Sequence, residues 1–136
     1  MKGDQIPETH HIARYCRGDA VGTGAAFLLR TGEDYVSVNW LESLNLETRD
    51  AEISEIRKVL GKKLTLGSKA RIAVLNVGNT RQYVISQTTD NRSLPFLHEP
   101  LPEDESHSGI HNTRCEDEML VAELIAETVL EDYPAR

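Results

Sequence analysis

KARIAVLNVGN, residues 69–79, is rich in β-branched side chains and closes on Gly78–Asn79, so it reads as a central strand of about seven residues. A strand of this kind needs neighbours, and the sequence on either side supplies them. RQYVISQ, residues 81–87, reads as the return strand of a hairpin or as a short helical turn, and the strand is the reading taken. Upstream, AEISEIRKVLG carries Ile53, Ile56 and Leu60 on one stripe. Asp50 is placed to cap its start, Arg57 and Lys58 fall in its last turn, and Gly61 stands where a helix would end.

Further upstream, EDYVSVNW (residues 33–40) alternates strictly. Val36, Val38 and Trp40 share one face, with Tyr35, Ser37 and Asn39 on the other, the period-two signature of a strand with unlike faces. GAAFLLR (residues 24–30) reads as the strand before it, joined through RTGED as a hairpin. Trp40, Leu41 and Leu44 then make about one helical turn. Downstream, SLPFLHEP (residues 93–100) offers one more short strand before a proline-bearing segment. CEDEMLVAELIAETVLEDY (residues 115–133) closes the series as an amphipathic helix, with Met119, Ala122, Ile125, Ala126 and Val129 on its apolar stripe and Pro134 ending it. The fold class that follows is α+β, a mainly antiparallel sheet with two principal helices packed on it.

The chain's 136 residues suit one domain, 1–136, with termini expected to fray at about 1–8 and 133–136. Hydrophobic residues at 39% and charged residues at 27% are ordinary for a chain that folds around a core. A formal net charge of −7 disfavours a non-specific grip on nucleic-acid phosphates, because the basic residues do not gather in the sequence. No stretch approaches the roughly 20 apolar residues that span a bilayer, and no signal-peptide core is evident, which sets the expectation of a cytoplasmic, non-membrane protein. Cys16 and Cys115 read as reduced, partly buried thiols, since one bridge is not the framework of a small secreted domain.

GDAVGTG, residues 18–24, has glycines at phosphate-loop intervals but lacks the lysine and the following Ser/Thr, and it reads as a connector. The segment from Phe96 to Cys115 gathers more chemistry: His98, His107 and His111, one of the two cysteines, and a backbone stiffened by Pro100 and Pro102. His107, His111 and Cys115 stand at i, i+4 and i+8, which on a helix would stack two imidazoles and a thiolate as a zinc face, with His98 as a fourth ligand. His98 and His107 could instead act as acid and base across a cleft while Arg14 holds an anionic substrate. HHIARYC, residues 10–16, brings His11 and Tyr15 beside Arg14, and these two with Ser106 complete the candidate ligand-binding residues. His107 is also expected near a helix N-terminus, where exposed N–H groups favour an anion.

No established catalytic or cofactor signature is present, so the first expectation is a small binding or accessory protein that acts through an unidentified protein partner or small ligand, as monomer or homodimer. No cofactor is expected on that reading. Zinc enters only through the histidine–cysteine face, and the acid–base enzyme stands as the other alternative.

Overall fold

The computed structural model describes every residue except Met1 and Val21. Six strands form one antiparallel sheet: β1 (His11–Cys16), β2 (Val36–Trp40), β3 (Arg71–Asn76), β4 (Phe96–His98), β5 (His107–Ile110) and β6 (Glu131–Pro134). Their order across the sheet is β4-β5-β2-β1-β3-β6. Three helices complete the fold, α1 (Arg49–Lys63), α2 (Val77–Gln87) and α3 (Glu118–Glu127), so the expected α+β class holds with one helix more than the sequence suggested. Among the described residues no helix is long and apolar enough to cross a membrane.

β3 is an interior strand, second from one edge of the sheet, not its centre. It pairs with β1 along its whole length, from His11↔Asn76 to Cys16↔Arg71, and with β6 on its other side. Ile72, Val74 and Leu75 are fully buried because both sheet faces are covered there. α2 and α3 lie on one face with a short 3-10 turn, Gly24–Phe27, around a core that includes Ile12, Leu75, Val84, Phe96 and Ile125. α1 lies on the other face, where Ile53, Ile56 and Leu60 meet Ala13, Ile72 and Val74.

That second core draws no buried residue from β2, β4 or β5. α1 therefore covers only half of its face. Over the other half the sheet presents the polar residues of the β2 alternation, and this is where a cleft opens.

Three segments depart from the sequence reading. RQYVISQ is helical, not a return strand: Asn76 Oδ1 accepts from Asn79 N at 2.8 Å, caps α2, and turns the chain directly out of β3. Val77, Thr80 and Val84 are buried at helical spacing, a stripe that the β-branched composition hides. GAAFLLR is not a strand either. Gly24 lies so close to α3 that an added Cβ would come within 2.7 Å of Glu123 Cγ, and the 3-10 turn buries Ala26 and Phe27 against that helix. The sheet position expected for this segment belongs to β1, built from HHIARYC, which inserts between β2 and β3, so β2 has no hairpin partner immediately before it.

The last departure is at the carboxyl end. α3 stops at Glu127, and Glu131–Pro134 pair with Arg71–Val74 as β6, where the helix was expected to run to Tyr133 and the tail to fray from there. The burial stripe of α3 is Val121, Ala122, Leu124 and Ile125; Met119 is exposed. At the other end, Gly3 N donates to His98 O, Ile6 N donates to Phe96 O and Gln5 bridges Leu97, so residues 3–6 lie along the outer edge of β4. α1 is capped by Thr48, not Asp50: Thr48 Oγ1 accepts from Ala51 N at 3.1 Å. It also continues past Gly61 to Lys63.

Leu75 is completely buried in the larger core, whereas Leu130 is about half exposed. Leu75→Ala is expected to cost about 2–5 kcal/mol in urea unfolding, and Leu130→Ala within about 0.5 kcal/mol of zero. Equal effects from the two would show that the burial pattern is wrong.

Candidate functional site

Ladder pairing between β1 and β2 is confined to Ile12↔Trp40 and Ala13↔Asn39. Beyond that point the strands part, and the Arg14 side chain fills the gap. Its Nε donates to Ala26 O at 2.8 Å and its Nη1 to Ser37 O at 2.7 Å, tying the 3-10 turn and β2 to β1 in place of ladder bonds. Burial lowers the guanidinium pKa, with nearby Arg30 acting the same way and Glu33 opposing. An arginine stays charged even so, and its Nη2 makes no hydrogen bond among the described residues.

The gap opens into a cleft of about 320 Å³ on the half of the sheet that α1 leaves uncovered. Its floor is Ser37, Asn39 and His107, brought together because β2 pairs with β5 in the register Asn39↔His107. One wall is the end of α1, with Leu60, Lys63 and Leu64, and Leu101 adds a hairpin contribution. Arg14, Tyr15, Arg30 and Glu33 complete the lining. Arg30 is exposed, and its guanidinium makes no hydrogen bond or ion pair among the described residues; only its backbone N is engaged, donating to Glu33 Oε1 at 2.7 Å. The Tyr15 hydroxyl accepts from Gly67 N at 3.2 Å and keeps its own proton available.

Asp104 holds Asn39 of the floor and Lys63 of the wall in place. It is buried, and its carboxylate takes Asn39 Nδ2 at 2.9 Å on each oxygen, Ser106 Oγ at 3.0 Å and Lys63 Nζ at 2.7 Å. Burial pushes the carboxyl pKa up, but the Lys63, Asn39 and Ser106 hydrogen bonds together outweigh it and hold the group below the usual carboxylate value. Asn39 Nδ2 also donates to Ser106 Oγ at 2.8 Å. The half turn of α1 beyond Gly61 thus has a use, since it carries Lys63 to Asp104.

At the β5 end, His107 Nδ1 donates to Glu99 O at 2.8 Å. His111 Nε2 lies 2.8 Å from Glu99 Oε2, and the Tyr35 ring stacks on the His111 ring with centroids 4.8 Å apart. Tyr35 lies directly over Gly109, the one cross-strand position where any side chain would overlap the ring. Burial and the neighbouring carboxylates Glu99, Asp34 and Glu33 raise the Tyr35 pKa.

The structure thus brings Tyr15 and His107 of the residues singled out from sequence onto one sheet face, and the same cleft is bordered by Arg14, whose side chain starts from the opposite face beside Ile12 and Cys16. It separates His98 from them. His98 pairs with Ser108, so its side chain lies on the opposite sheet face from that of its near neighbour His107, edge-on to Trp40 with centroids 5.2 Å apart. The acid–base pairing of His98 with His107 across one cleft is therefore not realised.

The zinc face is not realised either, because residues 107–110 are an extended strand and not a helix, so positions i, i+4 and i+8 are spread along the chain instead of stacking on successive turns. Among the described residues no group of three or more His, Cys, Asp or Glu is placed to hold a metal ion. His107 is also far along the chain from the start of α3 at Glu118, so no helix N-terminus adjoins it in sequence. His11 is held by Glu42, whose Oε1 accepts from His11 N at 2.7 Å and whose Oε2 lies 2.6 Å from Nδ1. Ser106 is buried, in contact with Asn39 and Asp104. Cys16 and Cys115 are free thiols. Val21, within the glycine-rich GDAVGTG, lies outside the described residues.

Arg30, Glu33, Ser37, Asn39 and Lys63 entered the cleft without having been candidates. Ser37 and Asn39 had a visible signal: they are the polar face of the best-patterned strand. Arg30 and Lys63 had none, because only the fold brings them near β2. Compared with protein-family models, curated proteins and solved structures, the chain matches none.

Because the folded pKa of Asp104 is below its unfolded value near 3.8, its contribution to stability is fully present above that value and lost as pH falls through the folded one. Asp104→Ala should cost about 1–3 kcal/mol at pH 7 through the stranded Asn39 amide, and should flatten the loss of stability between neutral and acid pH. Urea unfolding of both proteins at pH 7 and pH 3 checks this, and parallel pH profiles would contradict it.

Proposed function

We propose that this chain is a small-ligand binding protein and that the ligand is an anion held in the cleft over β2 and β5. The observation that carries the reading is the convergence of Arg14, Arg30 and Lys63, from a strand, a loop and a helix, on one concavity of a chain whose net charge is −7. Random placement of basic residues on an acidic surface gives scattered ion pairs. Here Arg30 is left without a carboxylate partner and Arg14 keeps one N–H edge unused, an arrangement that suits a carboxylate or phosphate supplied from outside. Glu33 at the rim and Asp104 on Lys63 limit the net positive charge, so one or two negative charges are the natural complement.

The reading keeps the binding-protein expectation and gives the anion-holding role of Arg14 a structural setting. Histidine acid–base chemistry would have to proceed with His107 alone, since His98 faces away. Zinc binding has no support in the arrangement of His107, His111 and Cys115.

Isothermal titration with inorganic phosphate and with citrate, at constant ionic strength, tests the proposal. Saturable binding that weakens with added salt is expected. Arg30→Ala should reduce affinity about tenfold or more, as expected for loss of a charge-assisted contact, and should leave stability within about 0.5 kcal/mol because the side chain holds nothing else in place. Heats no different from those of chloride would refute anion binding.

A further inference from the structure

The hydrogen-bond polarity of the cleft floor narrows the ligand further. Asn39 Nδ2 is committed to Asp104 and Ser106, and because a carboxylate only accepts, the amide cannot be turned the other way; Oδ1 is the atom left over. His107 Nδ1 faces the carbonyl oxygen of Glu99, which also only accepts, so Nδ1 carries the proton and the neutral ring has its lone pair on Nε2. Neither Asn39 Oδ1 nor His107 Nε2 has a partner among the described residues, and neither is sealed from solvent: the buried side-chain N and O atoms left without a partner there are Arg81 Nε and Thr113 Oγ1. Two acceptors without a partner among the described residues thus lie on paired residues of β2 and β5, in a cleft that Arg14, Arg30 and Lys63 also line.

An anion with few or no O–H groups leaves at least one of them without a donor, since it brings mostly acceptors of its own. We infer that the cleft takes a small hydroxylated anion, its charged group at Arg14 and Arg30 and its hydroxyls donating to His107 Nε2 and Asn39 Oδ1. This rests on the anion-binding reading above and adds the donor requirement to it. The spacing suits a small molecule: Arg14 is fixed at Ser37 O, and Asn39 is two residues along the same strand, about 6–7 Å further on. Sugar phosphates and hydroxy acids share this chemistry, one through a phosphate and the other through a carboxylate.

The test compares ligands that differ in hydroxyls alone: glycerol 3-phosphate against n-propyl phosphate, and glycerate against propionate, by titration calorimetry at pH 8. Each hydroxylated member is expected to bind at least about tenfold tighter than its analogue, because the analogue leaves buried-side acceptors unpaired. The pair with the tighter member identifies phosphate or carboxylate as the head group. In His107→Phe the discrimination within each pair should fall by about tenfold. Equal affinities within each pair for the parent protein would overturn the donor requirement and leave anion binding standing. Absence of binding by every probe, inorganic phosphate included, would overturn both. The parent comparison needs no variant, so the outcome does not depend on whether His107→Phe folds.

Discussion

Arg14 holds the sheet together at the place where its ladder fails. β1 and β2 share two residue pairs and then diverge, and without the guanidinium bridging Ala26 O and Ser37 O two backbone carbonyls would face the gap unpaired. A lysine could not replace it, because a single ammonium lacks the planar fork that reaches both acceptors at 2.8 and 2.7 Å. The cost is a cation drawn partly out of water, visible in the lowered pKa. The same divergence that calls for Arg14 leaves room above β2, so the structural device and the cleft have one origin.

The uneven covering of the two faces follows from helix supply. α2 and α3 together close one face, while α1 alone must serve the other and buries only the β1–β3 half. A sheet half without a helix normally carries polar side chains facing water. Here the polar residues are themselves fixed by Asp104 and by Glu99, so Asn39 and His107 are oriented before any ligand arrives. Fixed donors and acceptors avoid the entropic loss of ordering flexible ones on binding.

Where side-chain periodicity was strong and local, the sequence was legible. β2, β3, β4 and the existence of α1 and α3 all follow from it, and so does the antiparallel α+β class. α2 was hidden because Val77, Val84 and Ile85 belong to residue types that favour strands, and its deciding feature is a single capping amide on Asn76. β1 was passed over in favour of GAAFLLR, since it is less apolar and its Arg14 stands for a partner that sequence does not show. The site was legible in parts for a similar reason. Arg14, Tyr15 and His107 carry chemically suggestive side chains, but that His98 turns away from His107 depends on the β4–β5 register, which no spacing along the chain reveals.

The strand order has a consequence for how the chain reaches this state. β1 sits between β2 and β3, and its longest ladder joins His11–Cys16 to Arg71–Asn76, with the Gly24–Phe27 3-10 turn, β2, a second 3-10 turn at Glu42–Leu44 and α1 lying between them in the chain. Those contacts cannot form until a long loop has closed, so the entropy of closure falls on this interior pairing and not on the edges. α1 is the element able to form early on local contacts alone, and its formation shortens the effective loop that β1 and β3 must span. The larger core draws on residues from Ile6 to Ile125, so it too is built from contacts distant along the chain.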